Sequence, residues 1–213
     1  MDPAGPVSPH GMTGDGPQAD RGGRMDGMRS DALANRRDLV SAASGLLAEQ
    51  GAGMSLRAVA QAAGVGVGTL YRHFPSRVDL LTAVLEDVVE RLTAHLERFI
   101  EGDEPAAERW LRLSRALADE DLANLLAARD SLGPDEGPPP ERMAEAERVI
   151  MALTDRAVDL ARRGGLVADG VGGHDWFTWL LIVTRPPLPA LEAYVSEQRD
   201  WLLRVYLRGL RPD

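Results

Sequence analysis

The sequence predicts an all-α fold, with a small N-terminal three-helix unit and a longer helical body behind it. Three observations predict this. From Ser30 to Arg208 the apolar residues recur three and four apart, and no segment alternates with the period of two that a strand requires. The apolar fraction of 44% is mostly Ala, Leu and Val, with aromatics at only 5%, a profile that leans towards helix. Gly and Pro clusters then cut the pattern into helix-sized lengths.

Taken in order, residues 1–28 are rich in Gly, Pro and Asp, lack apolar periodicity and predict a disordered tail. A first helix follows from about Ser30 to Gln50, with Leu39, Ala43, Leu46 and Leu47 as its inner stripe and Gly51 as its stop. A second runs from Leu56 to Ala63 behind Ser55, and a third from about Val67 to Phe74. The fourth begins after Pro75-Ser76 and continues to about Glu101, with Leu81, Val84, Val88, Leu92, Leu96 and Phe99 on one face. Ser76 and Asp79 are spaced as a capping box at its start. Beyond the Gly102 to Pro105 break, helices are expected near Pro105 to Ala118 and Asp121 to Ser131. The loop from Gly133 to Pro140 precedes a long helix from about Glu141 to Arg163, closed by Gly164-Gly165. The segment Trp176 to Val183 is apolar nearly all round, which predicts burial on every side. After Arg185-Pro186-Pro187, a last helix spans about Pro189 to Arg208, with Leu191, Tyr194, Val195, Trp201, Leu202, Val205 and Tyr206 as its stripe.

Composition removes several function classes. There is no cysteine, so disulfides, thiolate metal sites and a cysteine nucleophile are excluded. The four histidines, His10, His73, His95 and His174, are far apart and predict no metal cluster. No Ser-His-Asp pattern or phosphate loop is present, so neither a catalytic residue nor a cofactor is expected. No uncharged apolar run is long enough to span a membrane, and no secretory leader is recognisable, which predicts a cytosolic protein. The net charge of −9 is unevenly spread. Between Arg21 and Leu80 eight arginines face five acids, whereas residues 81–213 carry 16 arginines against 25 acids. A basic head on an acidic body suits local phosphate binding with little non-specific adhesion.

The segment Ser55 to Phe74 reads SLRAVAQAAGVGVGTLYRHF. Two short helices that cross need a small residue at the crossing, a residue tolerant of positive φ at the turn and apolar residues between them. Ala60, Gly64 and the set Val59, Ala63, Val65, Leu70 and Phe74 answer these needs. Ser55 caps the first of the pair. At about 100° per residue, Val67, Leu70 and Phe74 share one side of the second helix. Gly68, Thr69 and Arg72 then face outward, with Tyr71 and His73 on the flanks. This arrangement suits a helix lying in the DNA major groove, with central side chains on base edges and flanking ones on phosphates. Gly66 and Gly68 allow the backbone to approach the sugar-phosphate chain closely. Arg77, a cation at the positive end of the fourth helix, is expected to share a phosphate with it.

These residues carry a resemblance. VAQAAGVGVGTLYRHFPSR, preceded by LLAEQG, resembles the N-terminal domain of the TetR family of bacterial regulators over about Arg36 to Leu85. The resemblance implies a DNA-binding helix-turn-helix domain over residues 29–75 and a helical ligand-binding and dimerisation domain over residues 76–213. It implies a homodimer on the double-stranded DNA of a palindromic operator, with half-sites about 34–36 Å apart, and release by a small-molecule effector. Position by position, Ser55, Thr69, Tyr71, His73 and Arg77 match residues that contact DNA, largely its backbone, and Arg72 matches one that selects sequence. Arg29, Arg36 and Arg37 match a possible arm. Gly66 departs from the pattern, standing where a polar cap is usual. The Trp176 to Val183 segment and the last helix resemble the pair that builds the family's four-helix dimer interface. By type and helix, the pocket candidates are Trp110, Leu113, Leu117, Leu126, Met143, Met151, Trp176 and Trp179. An enzyme using the body pocket and a non-specific architectural DNA binder are the competing readings.

Overall fold

A computed structural model describes residues 21–120, 122–133, 135–184 and 192–212. The expected tail over residues 1–20, the Arg185-Pro186-Pro187 break and Leu191 lie outside the described residues, as do the side chains of Arg29, Tyr194 and Val195. The described elements are all helical: α1 (Arg21–Gln50), a 3-10 turn (Gly51–Gly53), α2 (Leu56–Ala62), α3 (Val67–His73), α4 (Arg77–Glu101), α5 (Ala106–Ala118), α6 (Leu122–Asp130), α7 (Pro140–Arg163), α8 (Gly173–Thr184) and α9 (Glu192–Gly209). No described helix is long and apolar enough to cross a membrane.

Two apolar clusters organise these elements. The first joins Leu39, Val40, Ala43 and Leu47 of α1 to Val59 and Ala60 of α2, Leu70 of α3, Phe74, and Leu80, Leu81, Ala83 and Val84 of α4. The second gathers Leu92, Leu96 and Phe99 of α4 with residues of α5, α7, α8 and α9 around Trp110 and Trp176. α4 therefore serves both: its first half closes the head and its second half is a wall of the body. At 25 residues it is about 37 Å long, and Val88 touches both clusters. Its start is the capping box, with Ser76 N donating to Asp79 Oδ2 at 2.9 Å and Asp79 N to Ser76 Oγ at 3.1 Å.

The body core is built on aromatic stacking. The rings of Trp110 and Trp176 lie 4.4 Å apart, and Phe99 is 5.2 Å from Trp110. The buried hydroxyls of Ser114 and Thr154 each donate to the carbonyl four residues back, at 2.9 and 2.8 Å, so neither is left unsatisfied. Tyr206 ties α9 to α8 by donating its hydroxyl to Trp176 O at 2.9 Å. Burial, with the Asp175 charge adding to it, pushes its phenol above the ordinary range.

Three expectations need correction. α1 begins at Arg21, within the expected tail; no proline lies between Pro17 and Gly51 to stop it, and the intervening glycines weaken a helix without barring it. α8 is not enclosed on all sides: Trp176 and Leu180 are buried, but Trp179 and Ile182 are exposed. α9 buries Leu203 and Leu207, with Leu210 beyond its end, while Trp201 and Val205 from the expected stripe face outward. Among its described side chains the last helix has two apolar faces, and the chain covers only one of them.

Candidate nucleic-acid interface

The helix-turn-helix is assembled as its residues require. Ser55 Oγ accepts from Ala58 N at 3.1 Å and starts α2. Gly64 turns the chain at φ +68°, in the left-handed region that favours glycine. Gly64 N donates to Gln61 O and Val65 N to Ala60 O, at 3.1 and 3.0 Å. Ala60 is buried at the crossing, and Val59, Leu70 and Phe74 are buried beside it. Val67 is 38% exposed and is not part of this core; it is the first residue of α3.

The outward face of α3 differs in part from expectation, because Thr69 is half-buried and the flanking Tyr71 is fully on the surface. Gly68, Tyr71 and Arg72 are exposed, and Thr69 and His73 are half-buried. Neither the Arg72 nor the Tyr71 side chain has a hydrogen bond or ion pair among the described residues. Gly66, in the cap position of α3, has no side chain to supply a cap. At both Gly66 and Gly68 an added Cβ would meet nothing within 4 Å, and neither has positive φ. The protein's own packing therefore gives no reason for glycine at either position. On α1, Arg36 and Arg37 are exposed, and the Arg36 guanidinium stands 5.1 Å from the Phe74 ring centroid.

Arg77 has internal partners that the sequence does not announce. Its Nη1 donates to Met54 O at 2.6 Å and its Nη2 to Ala52 O at 2.8 Å. The guanidinium is a staple holding the start of α4 to the turn before α2. Hydrogen bonds from a charged donor are worth roughly 1.5–3 kcal/mol each at full burial, and Arg77 is half-buried. Arg77→Ala is therefore expected to lower stability by about 1–2 kcal/mol in chemical denaturation without DNA. Unchanged stability with weakened DNA binding alone would restore the phosphate role.

The pocket candidates disperse. Trp110, Leu117 and Trp176 are body core, and Met151 is half-buried against it. The indole Nε1 atoms of Trp110 and Trp176 are buried without a partner among the described residues. Leu113 lines a cleft between α4 and α5. Trp179 is on the surface and cannot line an interior pocket of one protomer. Met143 and Leu126 line an apolar cavity of about 80 Å³ at the junction of head and body, with Leu47, Leu81, Val84, Val88 and Leu125. Sequence reasoning missed the α1 and α4 residues of this cavity; they read as helix core, and nothing in their spacing marks a void. Among the described residues no group of three or more His, Asp or Glu is placed to hold a metal.

Comparisons with known proteins agree with this geometry. A family model described as "Bacterial regulatory proteins, tetR family" matches residues 39–84. The HTH-type transcriptional repressor KstR of Mycolicibacterium smegmatis is 42% identical over 71 residues, which are 32% of this chain and 35% of KstR. The chain thus spans about a third of the length of the curated relatives it matches. Similarity to solved structures extends further. A TetR transcription regulatory protein from Mycobacterium vanbaalenii is 28% identical with a TM-score of 0.62, covering 87% of this chain and 99% of that one. The TetR transcriptional regulator SCO0520 from Streptomyces coelicolor is 26% identical with a TM-score of 0.64, covering 83% and 98%.

Proposed function

We propose, from the membership of this chain in the tetR family of bacterial regulatory proteins, that it is a sequence-specific DNA-binding repressor. It acts as a cytoplasmic homodimer on a palindromic operator and is released by a small-molecule effector. The observation that carries this reading is the outer face of α3, where Arg72 and Tyr71 project without internal partners beside an open Gly68. In the groove, Arg72 reads a base edge, Thr69, Tyr71 and His73 hold the backbone, and Ser55, Gly66 and Gly68 let the phosphates come close. KstR is named a transcriptional repressor, which supports the sign of regulation.

The effector reading rests on the junction cavity. Its lining is apolar apart from Arg129, so the ligand is a small apolar molecule. About 80 Å³ is well below the roughly 300–1,000 Å³ of a ligand site. Occupation must therefore part the surfaces that line it, which include Leu47 and Leu81 of the head core. A ligand that binds only the parted state shifts the heads away from groove spacing; one that binds both states equally shifts nothing.

The test is binding of the purified protein to its own upstream DNA, followed by selection of preferred sequences. Arg72→Ala is expected to lose about 1–3 kcal/mol of discrimination at one base pair per half-site. Tyr71→Ala should weaken binding to all sequences alike. Equal, uniform losses from both would overturn the division of roles, and equal affinity for random DNA would favour an architectural protein.

A further inference from the structure

A second site lies at the body end of α4. There a cleft between α4 and α5 is lined by His95, Arg98, Phe99, Arg109, Arg112, Leu113 and Ala116. Four of its seven lining residues can carry positive charge. Two of these four are paired with acids, His95 with Glu120 and Arg112 with Glu104, which leaves Arg98 and Arg109 without a carboxylate partner among the described residues. Among those residues Arg98 reaches His95 Nδ1, at 3.4 Å.

Arg109 is the unusual member. It is 9% exposed, yet no carboxylate lies within 4 Å of it among the described residues. Its Nη1 donates to Phe99 O, one of the free carbonyls that end α4, and its guanidinium lies 5.3 Å from the Phe99 ring centroid. Its Nε is buried with no partner among the described residues. A buried guanidinium without a counter-charge is costly, and this one is held in place by design of the backbone. A Cβ at Gly102 would come within 2.8 Å of Arg109 Cδ and 2.9 Å of Arg98 O, so glycine is required for Arg109 to lie where it does. With Nη1 committed and Nε closed off from solvent, Nη2 is the donor left open to the cleft. A charged N–H of this kind pairs strongly with a carboxylate or phosphate oxygen.

We infer that this cleft is an oxyanion-binding site, with Arg109 as the buried donor and Arg98 and Arg112 as exposed clamps on the rim. The enclosed part of the cleft is only about 20 Å³, close to the room one water needs. It therefore takes the charged end of a ligand, a carboxylate or a phosphate, and leaves the remainder outside. Arg109, Arg112 and Leu113 come from α5, and His95, Arg98 and Phe99 from α4, so a bound oxyanion would tie these two helices together.

The test is thermal unfolding of the full chain without DNA, in phosphate, acetate or chloride at matched ionic strength. At an anion concentration a hundred times its Kd, mass action predicts a Tm about 5–11 °C above the chloride value. A rise in phosphate alone identifies a phosphate ester as the ligand class; a rise in acetate as well identifies a carboxylate. Arg109 variants risk misfolding, so the deciding variant is R98Q/R112Q, whose side chains are exposed. It should fold as the wild type does and lose more than half of the anion-dependent rise. Equal Tm in all three salts would overturn the site. So would a rise that persists undiminished in R98Q/R112Q, since the anion would then be bound elsewhere, such as on the basic head. Neither result bears on operator binding, which is measured separately.

Discussion

Ile182→Arg should convert the protein to a monomer that remains folded and should weaken operator binding by about 100-fold to 10,000-fold. Ile182 is 67% exposed, and with Trp179 at 52% it forms the uncovered side of α8; Trp201 at 55% and Val205 at 50% do the same for α9. Large apolar side chains at that exposure, gathered on two helices that pack together, mark an association surface rather than scattered surface residues. Arginine there costs the isolated chain little, because Ile182 makes few contacts within it. In a dimer the same arginine meets its own symmetry-related copy or a neighbour across an apolar seam, where an unpaired charge is strongly unfavourable. The DNA consequence follows from linkage: two heads on one rigid body make the second half-site contact intramolecular, and avidity of that kind is worth about 10² to 10⁴. Light scattering reads the mass, circular dichroism the fold, and fluorescence anisotropy the operator affinity. A variant that stays dimeric would place the interface elsewhere. A monomer with wild-type affinity would remove the need for two heads.

Much of this architecture is legible in the sequence because helices announce their ends. Ser55, Gly64, Ser76 and Gly102 each sit at a boundary that local chemistry sets, and the observed elements begin or end beside them. What is not legible depends on how a side chain is used after the helices have packed. Arg77 is a cation at a helix start in either reading; only the positions of the Ala52 and Met54 carbonyls decide that it is a staple. Trp176 and Trp179 are both tryptophans on one apolar helix, and rotation about its axis puts one in the core and the other in solvent. A composition that is apolar all round cannot tell burial within a protomer from burial between two. Arg109 left a usable signal. It falls four residues before Leu113 and eight before Leu117, both buried, so helical spacing places it on the inner stripe of α5. A charged residue on an inner stripe with a glycine at the preceding helix end is a pattern worth reading as a buried donor.

Gly68→Ala should separate stability from DNA binding with opposite signs. Position 68 is exposed, lies within α3, and has no positive φ; an added Cβ there touches nothing. Alanine in place of glycine inside an exposed helix favours folding by about 0.5–1 kcal/mol, so the variant should melt at a higher temperature than the wild type. Residues chosen for the stability of the isolated protein would not leave glycine at such a place. Glycine makes sense if another surface comes closer to the backbone than a methyl group permits, and the partner proposed for this face is the sugar-phosphate chain. Forcing that chain away loses hydrogen bonds to a charged acceptor, worth roughly 1.5–3 kcal/mol each, which corresponds to an operator affinity lower by about tenfold to a hundredfold. Thermal unfolding and anisotropy titration on the same sample measure both quantities. A variant that is stabilised and still binds operator as the wild type does would show that α3 meets DNA through another face. A destabilised variant would show that glycine is demanded by the head itself.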